Sequence, residues 1–189
     1  MKFTALHKSK LLHMFQLLDV DSNGVIEYQD FRMAMDTLVL EKKLDQMSPR
    51  YLDLVTANKS LWKMLVEPLD LNFDGEISQS EWLAFHIKAF LLEPSEGGLD
   101  PEFSLVMKAT AKFFCELLDI DGDGVVTLEN YVSFCGSYRV GENEAVIGFS
   151  MFDRDRNQQL SVEEVAQLVR EFYLSPDPEA PGNLFFGAF

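Results

Sequence analysis

The sequence predicts an all-α fold in which four helix-loop-helix units form two pairs and pack into one compact globule. Four twelve-residue stretches align without gaps, at 19–30, 70–81, 119–130 and 153–164. Apolar residues recur at helical spacing before and after each stretch. A chain of 189 residues, 47% of them hydrophobic, can also bury a sizeable core.

The acidic residues are concentrated in these stretches. The chain has 31 Asp and Glu against 16 Lys and Arg, which gives a net charge of −15. Each aligned stretch holds four acidic residues, so about half of the total lies in about a quarter of the chain. This balance argues against nucleic acid and anionic membrane surfaces as partners and favours cations.

The four stretches share a pattern of oxygen-bearing side chains. Position 1 is Asp, positions 3 and 5 are Asp or Asn, and position 8 is aliphatic: Ile26, Ile77, Val126 and Leu160. In EF-hand loops, Ca²⁺ takes oxygen from positions 1, 3 and 5, from the carbonyl at 7, often through water at 9, and from an acid at 12. Position 8 is where two loops pair as a short antiparallel ribbon, which suits β-branched residues. The pattern therefore predicts four paired EF-hand loops.

The first two loops offer a full set of ligands. In the first loop the predicted ligands are Asp19, Asp21, Asn23, the Val25 carbonyl, Glu27 and Asp30. Asp at position 12 is shorter than Glu and reaches with one oxygen more easily than two, which shifts preference toward six-coordinate Mg²⁺. In the second loop they are Asp70, Asn72, Asp74, the Glu76 carbonyl, Ser78 through water, and Glu81.

The third loop ends on a neutral amide. Its predicted ligands are Asp119, Asp121, Asp123, the Val125 carbonyl and Asn130. Gly124 suits the sharp turn, but Asn130 offers one oxygen and no charge. Two readings stay open: the loop binds an ion, or its paired neighbour keeps it folded while it is empty or filled only at high calcium.

The fourth loop differs from the EF-hand pattern at its sharp turn. Its predicted ligands are Asp153, Asp155, Asn157, the Gln159 carbonyl, Ser161 and Glu164. Gln158 occupies position 6, where the turn prefers Gly. A residue with a side chain at positive φ costs about 1 kcal/mol, enough to weaken the site without abolishing it.

Helical signals flank every loop. Leu11, Met14, Phe15 and Leu18 precede the first loop on one helix face, and the same spacing recurs around the others. The same helical spacing places Cys115, Cys135 and His86 on faces that point to the core. We therefore expect the two cysteines to be reduced core thiols. Predicted helix starts are the N-cap pairs Ser48-Pro49 and Asp100-Pro101 and the capping boxes Ser78 with Glu81 and Ser161 with Glu164.

The chain divides into three parts. Segment 91–103 holds a Gly-Gly and two prolines and is the expected link between the pairs. We expect an N-terminal EF-hand pair over 1–95, a C-terminal pair over 99–174 and a tail over 175–189. Its prolines and Gly182 argue against helix in the tail, and its apolar residues should be buried on the core: Leu184, Phe185, Phe186 and Phe189.

Over nearly all 189 residues the chain resembles the four-EF-hand sarcoplasmic calcium-binding proteins, the group that includes the calerythrin-like proteins and is similar in architecture to the coelenterazine photoproteins. The four loops, the long spacing between the first two, Asp30 and the ending PDPEAPGNLFFGAF carry the resemblance. It implies two EF-hand pairs packed face to face with the tail over the core. Asn130 and Gln158 depart from the group's pattern, which gives no assurance that these two loops bind.

Three functions compete. We favour an intracellular buffer of Ca²⁺ and Mg²⁺, or a calcium-dependent regulator of the compact type, since a tail that fills the groove suits a buffer. One alternative is a sensor that exposes a Met-rich apolar groove to a partner protein. The other is a holder of a coelenterazine-type or luciferin-type ligand, although only three His and two Trp are present and Phe189 replaces the photoproteins' terminal Pro.

Enzymes, secreted proteins and membrane proteins are not expected. No Ser-His-Asp arrangement or phosphate-binding Gly-rich loop is evident, and we expect His7 and His13 to face solvent. The first residues lack the continuous apolar region of a signal peptide, and no run approaches membrane-spanning length. We therefore expect a cytoplasmic monomer whose ligands are calcium ions.

Overall fold

The computed structural model describes residues 2–91, 101–119, 123 and 125–188. They form eight α-helices: α1 Ala5–Leu18, α2 Tyr28–Glu41, α3 Pro49–Leu69, α4 Gln79–Leu91, α5 Pro101–Leu118, α6 Leu128–Ser137, α7 Glu142–Phe152 and α8 Val162–Leu174. Most of segment 91–103, Asp100, Asp121, Gly124 and Phe189 lie outside the described residues. The mostly helical architecture confirms the predicted fold class. In this part of the chain, no helix is long and apolar enough to cross a membrane.

Four two-residue strands join the loops in pairs. They are β1 Val25–Ile26, β2 Ile77–Ser78, β3 Val126–Thr127 and β4 Gln159–Leu160. Ile26 lies opposite Ile77, and Val126 lies opposite Leu160, in antiparallel register. All four side chains are buried. The aliphatic residue at position 8 thus pairs with its counterpart in the neighbouring loop, as the sequence predicts.

Capping side chains fix the starts of several helices. Ser48 accepts a hydrogen bond from the Tyr51 N–H at the start of α3, with Pro49 next to it. Ser161 and Glu164 form the predicted capping box of α8. The Ser78 and Glu81 side chains likewise bond to each other's backbone N–H groups. These starts confirm the predictions. The long spacing between the first two loops is taken up mainly by α3, which has 21 residues.

One hydrophobic core runs through both halves of the chain. Helix α3 packs on α5, α5 on α8, and α2 on both α3 and α6. The rings of Phe31 on α2 and Phe113 on α5 lie 6.0 Å apart between centroids. The indole N–H of Trp82 on α4 donates to the Leu11 carbonyl on α1 at 2.9 Å. Cys115 and Cys135 are free thiols, and Cys135 is buried.

The tail contains a short helix that the sequence argument excluded. Pro181–Leu184 form a 3-10 helix with Pro at its start. A single turn is compatible with this proline because its fixed φ suits a first helical position and its missing N–H needs no partner there. The backbone at Gly182 lies so close to α8 that no side chain fits there. A Cβ at that position would lie 2.5 Å from the Leu168 carbonyl oxygen.

Phe185 and Phe186 are buried, and α1 and α6 hold their backbone. The Tyr131 hydroxyl donates to the Phe185 carbonyl at 2.9 Å. The His13 Nε2 bonds the Phe186 carbonyl at 2.8 Å. Lys10 donates to the Asn183 Oδ1 at 3.0 Å. The described part of the tail therefore packs on the core, with backbone acceptors that are satisfied by side chains.

The expectation that His7 and His13 face solvent is wrong. His7 is 1% exposed. Its Nε2 bonds the Leu174 carbonyl at 3.2 Å, while its Nδ1 accepts from the backbone N–H of Thr4, the N-cap residue of α1. His13 is half-buried against the tail. Both histidines bond carbonyls from the C-terminal end of the chain, whereas several residues nearby in the sequence are polar. Local sequence therefore gave no sign that His7 is buried and His13 half-buried.

Candidate metal sites

The Asp at position 1 shapes the turn of each fully described loop. In the first loop, Asp19 accepts from the backbone N–H groups of Asn23 and Gly24, both at 2.9 Å. The same carboxylate-to-backbone pairs recur in the other two, at 2.8 to 3.2 Å: Asp70 with Asp74 and Gly75, and Asp153 with Asn157 and Gln158. Position 1 therefore folds the loop around its own carboxylate.

Positions 3 and 5 make short turns of the same kind. The side-chain oxygen at position 5 accepts from the backbone N–H at position 7 at 2.8 to 3.0 Å in all four loops: Asn23, Asp74, Asp123 and Asn157. The position 3 oxygen accepts from the position 5 N–H in the first, second and fourth loops: Asp21, Asn72 and Asp155. These bonds are characteristic Asx turns, which hold the polar side chains inside the loop.

The acid at position 12 ties the two ends of a loop together. One oxygen accepts from the position 2 N–H and the other from the position 9 N–H. Asp30 does so with Val20 at 2.9 Å and Glu27 at 2.8 Å. Glu81 and Glu164 make the equivalent bonds at 2.9 to 3.2 Å. Asp30 thus engages both oxygens although it is one methylene shorter than Glu.

Carboxylates converge in two loops. In the described part of the chain, two sets of three carboxylates have oxygens within 4.8 Å of one another: Asp19 with Asp21 and Asp30, and Asp153 with Asp155 and Glu164. The second loop has Asn at position 3, and among the described residues its carboxylates form no such set. Like charges at this separation repel, and a divalent cation removes that repulsion.

Burial and hydrogen bonds move the pKa values of two position 12 acids in opposite directions. Asp30 is 1% exposed, and burial raises the pKa of its carboxyl, while bonds from backbone N–H groups lower it. The hydroxyl of Ser78 donates to Glu81 at 2.6 Å and lowers the pKa of that carboxyl. Glu81 is therefore held ionised, the form that binds a cation.

Asn130 has only one oxygen with which to close the third loop. In the third loop, Asn130 Oδ1 accepts from the Thr127 backbone N–H at 2.9 Å and also from the Thr127 hydroxyl. An amide oxygen has two lone pairs, and both are used here. The remaining group is an NH₂, which cannot bind a cation. Position 12 of this loop consequently presents no free oxygen in the arrangement seen.

Arg50 adds a second obstacle at the third loop. Its guanidinium donates to the Glu116 carbonyl at 2.7 Å and to the Asp119 carbonyl. Asp119 is position 1 of the loop, so a permanent positive charge lies beside the first predicted ligand. A cation at that distance lowers the affinity for another cation. Sequence reasoning missed Arg50 because it belongs to α3 and nothing in its local pattern indicates this contact.

Gln158 adopts the conformation that the sequence predicts. Its φ is +68°, against +93° for Gly24 and +84° for Gly75 at the same position of their loops. The left-handed turn is therefore kept without Gly. Position 4 also takes positive φ, near +60°, in three loops: Ser22, Phe73 and Arg156.

Comparison with known proteins agrees with this geometry. The EF hand family model matches residues 13–35 and 69–86, which surround the first two loops. Calerythrin of Saccharopolyspora erythraea is 22% identical over 170 residues, covering 90% of this chain and 93% of calerythrin. The sarcoplasmic calcium-binding protein alpha chain of Penaeus vannamei is 24% identical over 177 residues, covering 90% of this chain and 89% of the relative.

Solved structures share the fold at similar identity. The Ca-loaded apo coelenterazine-binding protein of Renilla muelleri superposes with a TM-score of 0.77 at 20% identity, covering 99% of this chain and 100% of the other. A calcium-binding protein of Streptomyces coelicolor gives 0.73 at 20% identity, covering 90% and 99%. The amphioxus sarcoplasmic calcium-binding protein gives 0.69 at 21% identity and covers both chains fully.

Proposed function

We propose that this chain, an EF-hand protein similar along its length to calerythrin and the sarcoplasmic calcium-binding proteins, binds Ca²⁺ and acts as a compact buffer or calcium-dependent regulator. The observation that supports this most strongly is the position 12 acid, which closes the first, second and fourth loops through the same two backbone N–H groups. In the first and fourth loops the carboxylate oxygens also converge, so an ion there needs little rearrangement.

Three loops carry this function. The proposed ligands are Asp19, Asp21, Asn23, Val25, Glu27 and Asp30 in the first loop, Asp70, Asn72, Asp74, Glu76, Ser78 and Glu81 in the second, and Asp153, Asp155, Asn157, Gln159, Ser161 and Glu164 in the fourth. The first loop, closed by the shorter acid, should also accept Mg²⁺. In the third loop, the ligands Asp119, Asp121, Asp123, Val125 and Asn130 act only at high calcium, after the Thr127 hydroxyl turns away.

A buffer is favoured over an opening sensor because the chain's own tail covers apolar surface. Phe185 is fully buried and Phe186 is 3% exposed. The Phe185 ring lies 6.0 Å from Tyr131 and 5.7 Å from Phe152 between centroids. A sensor would have to displace the tail before a partner could bind. The net charge of −15 disfavours nucleic acid and anionic membranes as partners. We further propose a cytoplasmic monomer and assign it no catalysis.

Matched variants on α8 test the ion sites. Glu164→Gln removes the proposed position 12 acid, whereas Glu163→Gln removes an exposed neighbouring charge that is no ligand. In calorimetric calcium titrations, Glu164→Gln should lose one tight site and Glu163→Gln should keep all of them. Equal stoichiometry in the two variants would overturn the assignment of the fourth loop.

Dye binding separates buffer from sensor. An opening sensor gains fluorescence of an apolar-surface dye when calcium is added, because new apolar surface meets water. We expect the dye signal of this protein to stay level or fall as calcium is added. A several-fold rise at stoichiometric calcium would instead favour the sensor.

One observation favours a second candidate function, a holder of a small aromatic ligand. His86 is fully buried between Trp82 and Tyr173, at centroid distances of 4.3 and 5.6 Å. Its Nδ1 bonds the Trp82 carbonyl, and its Nε2 has no hydrogen-bond partner among the described residues. A free acceptor amid rings could orient such a ligand. Incubation with coelenterazine should then give a protein-bound absorption band that His86→Phe abolishes.

A further inference from the structure

A groove between α5 and α8 lies beside the third loop: Glu116 and Asp119 are among its lining residues, whereas no residue of the tail is. It encloses about 530 Å³, and its floor is made by Met107, Ala111, Val126, Leu160 and Val169. All five side chains are buried. The volume falls within the range of roughly 300–1,000 Å³ that is usual for small-molecule sites. Val162 lines the edge of the groove and is 61% exposed, so apolar surface there is left in contact with water.

Four basic side chains surround this apolar floor: Arg50, Lys108, Lys112 and Arg170. This is a quarter of the 16 basic residues in a chain whose net charge is −15. Arg50 is engaged by carbonyls, and Lys112 lies 3.8 Å from Glu116. Lys108 and Arg170 are exposed and make neither hydrogen bond nor ion pair within the described part of the chain. Two cations are thus available beside buried apolar surface.

We propose that this groove binds a small amphipathic anion, a single carboxylate on an apolar body, as in a free fatty acid. Lys108 and Arg170 would receive the carboxylate, and the floor of Met107, Ala111 and Val169 would cover the apolar chain. A monoanion fits better than an acidic peptide, since repulsion from the protein's negative charge grows with each charge the ligand carries. The two basic side chains would repel a cationic ligand, and a neutral ligand would form no ion pair with them.

The ligand test uses a chain-length series. Octanoate, nonanoate and decanoate are titrated below their micelle concentrations, with calcium just sufficient to fill the tight loops. Each added methylene should raise affinity about fourfold, the ratio that corresponds to about 0.8 kcal/mol per buried CH₂. 1-Octanol should bind about fivefold to tenfold more weakly than octanoate, because it lacks the charge. Absence of binding, or equal affinity for octanol and octanoate, overturns the proposal.

Variants locate the binding site. The double variant Lys108→Gln/Arg170→Gln should lower octanoate affinity about fivefold to tenfold while leaving octanol binding unchanged, which also shows that the variant is folded. The control double variant Lys59→Gln/Lys63→Gln removes two exposed cations from α3 and should leave both affinities as in the unaltered protein. Ala166→Trp fills the groove from its exposed edge and should abolish binding of both ligands. Equal losses in the two double variants, or undiminished binding by Ala166→Trp, overturn the assignment to this groove.

Discussion

At the scale of single residues, we propose that position 12 determines how each loop binds an ion. A carboxylate such as Glu81 or Glu164 accepts two backbone N–H groups and still has lone pairs left for a cation. The single oxygen of the Asn130 amide accepts two hydrogen bonds from Thr127, which uses both of its lone pairs. The chemical difference is one oxygen for one NH₂, and we propose that it separates the three loops that bind an ion tightly from the third loop, which binds one only at high calcium.

The turn of the fourth loop stores backbone strain. Gln158 is held at φ +68°, which costs a side-chain-bearing residue about 1 kcal/mol relative to Gly. Gln158→Gly should therefore raise the free energy of unfolding by about 0.5–1 kcal/mol in urea denaturation without calcium. Gln159→Gly is the matched control: Gln159 lies in β4, where Gly lowers stability by about 0.5–1 kcal/mol. Equal signs for the two variants would contradict this explanation.

His86 should make stability depend on pH. Burial lowers its pKa from 6.5 to about 4. As pH falls below 6.5, His86 becomes protonated in the unfolded chain, but in the folded protein it stays neutral down to about pH 4. The free energy of unfolding therefore falls between these two pH values. The loss is about 3 kcal/mol. In calcium-free urea unfolding, the unaltered protein should lose about this much more stability than His86→Phe between pH 6.5 and 4. Parallel pH profiles would show that His86 does not titrate as described.

At the scale of elements, α1, α8 and the tail are joined by one buried cation. Lys10 is 1% exposed, and its ammonium donates to the Ser175 carbonyl at 2.9 Å, the Asn183 Oδ1 at 3.0 Å and the Glu171 carbonyl at 3.4 Å. Two of these carbonyls belong to the C-terminal end of α8, where a positive charge is favourable. Lys10 also lies 5.7 Å from the centre of the Phe172 ring.

Replacement of Lys10 should destabilise this junction. Lys10→Met keeps the apolar stem but leaves the Ser175 carbonyl and the Asn183 Oδ1 without their donor, at a net cost of about 2 kcal/mol. Lys8→Met removes an exposed charge from the same helix and should change stability by less than about 0.5 kcal/mol. Urea unfolding at neutral pH compares the two. A Lys10→Met variant as stable as Lys8→Met would mean that burial of the ammonium cancels its hydrogen bonds.

At the scale of the whole molecule, cations connect the two halves of an acidic chain. Lys42, directly after α2, pairs with Glu129 on α6 at 2.8 Å. Arg50 on α3 donates to the end of α5, and Arg139 donates to the Val20 carbonyl of the first loop at 2.8 Å. In a chain with so few basic residues, this placement joins the halves where acidic loops would repel each other.

The sequence predicted those features that depend on local spacing. Periodicity predicted the buried faces of the helices, position 8 predicted the ribbons, and Ser48 and Ser161 predicted two helix starts. Contacts between residues far apart in the sequence could not be predicted. Lys10 bonds Asn183, which is 173 residues away, and Arg50 bonds Glu116, which is 66 residues away. Burial of Lys10 and His7 also runs against the usual preference of such residues for the surface, so no pattern indicated it.

Calcium binding itself is tested most directly by calorimetric titration with and without millimolar Mg²⁺, on the unaltered protein and on Asn130→Glu. We expect three tight sites without Mg²⁺, one of them weakened by Mg²⁺ at the first loop, and a fourth tight site in Asn130→Glu. Absence of calcium uptake, or four equally tight sites in the unaltered protein, would contradict the proposed function and the distinct role of the third loop.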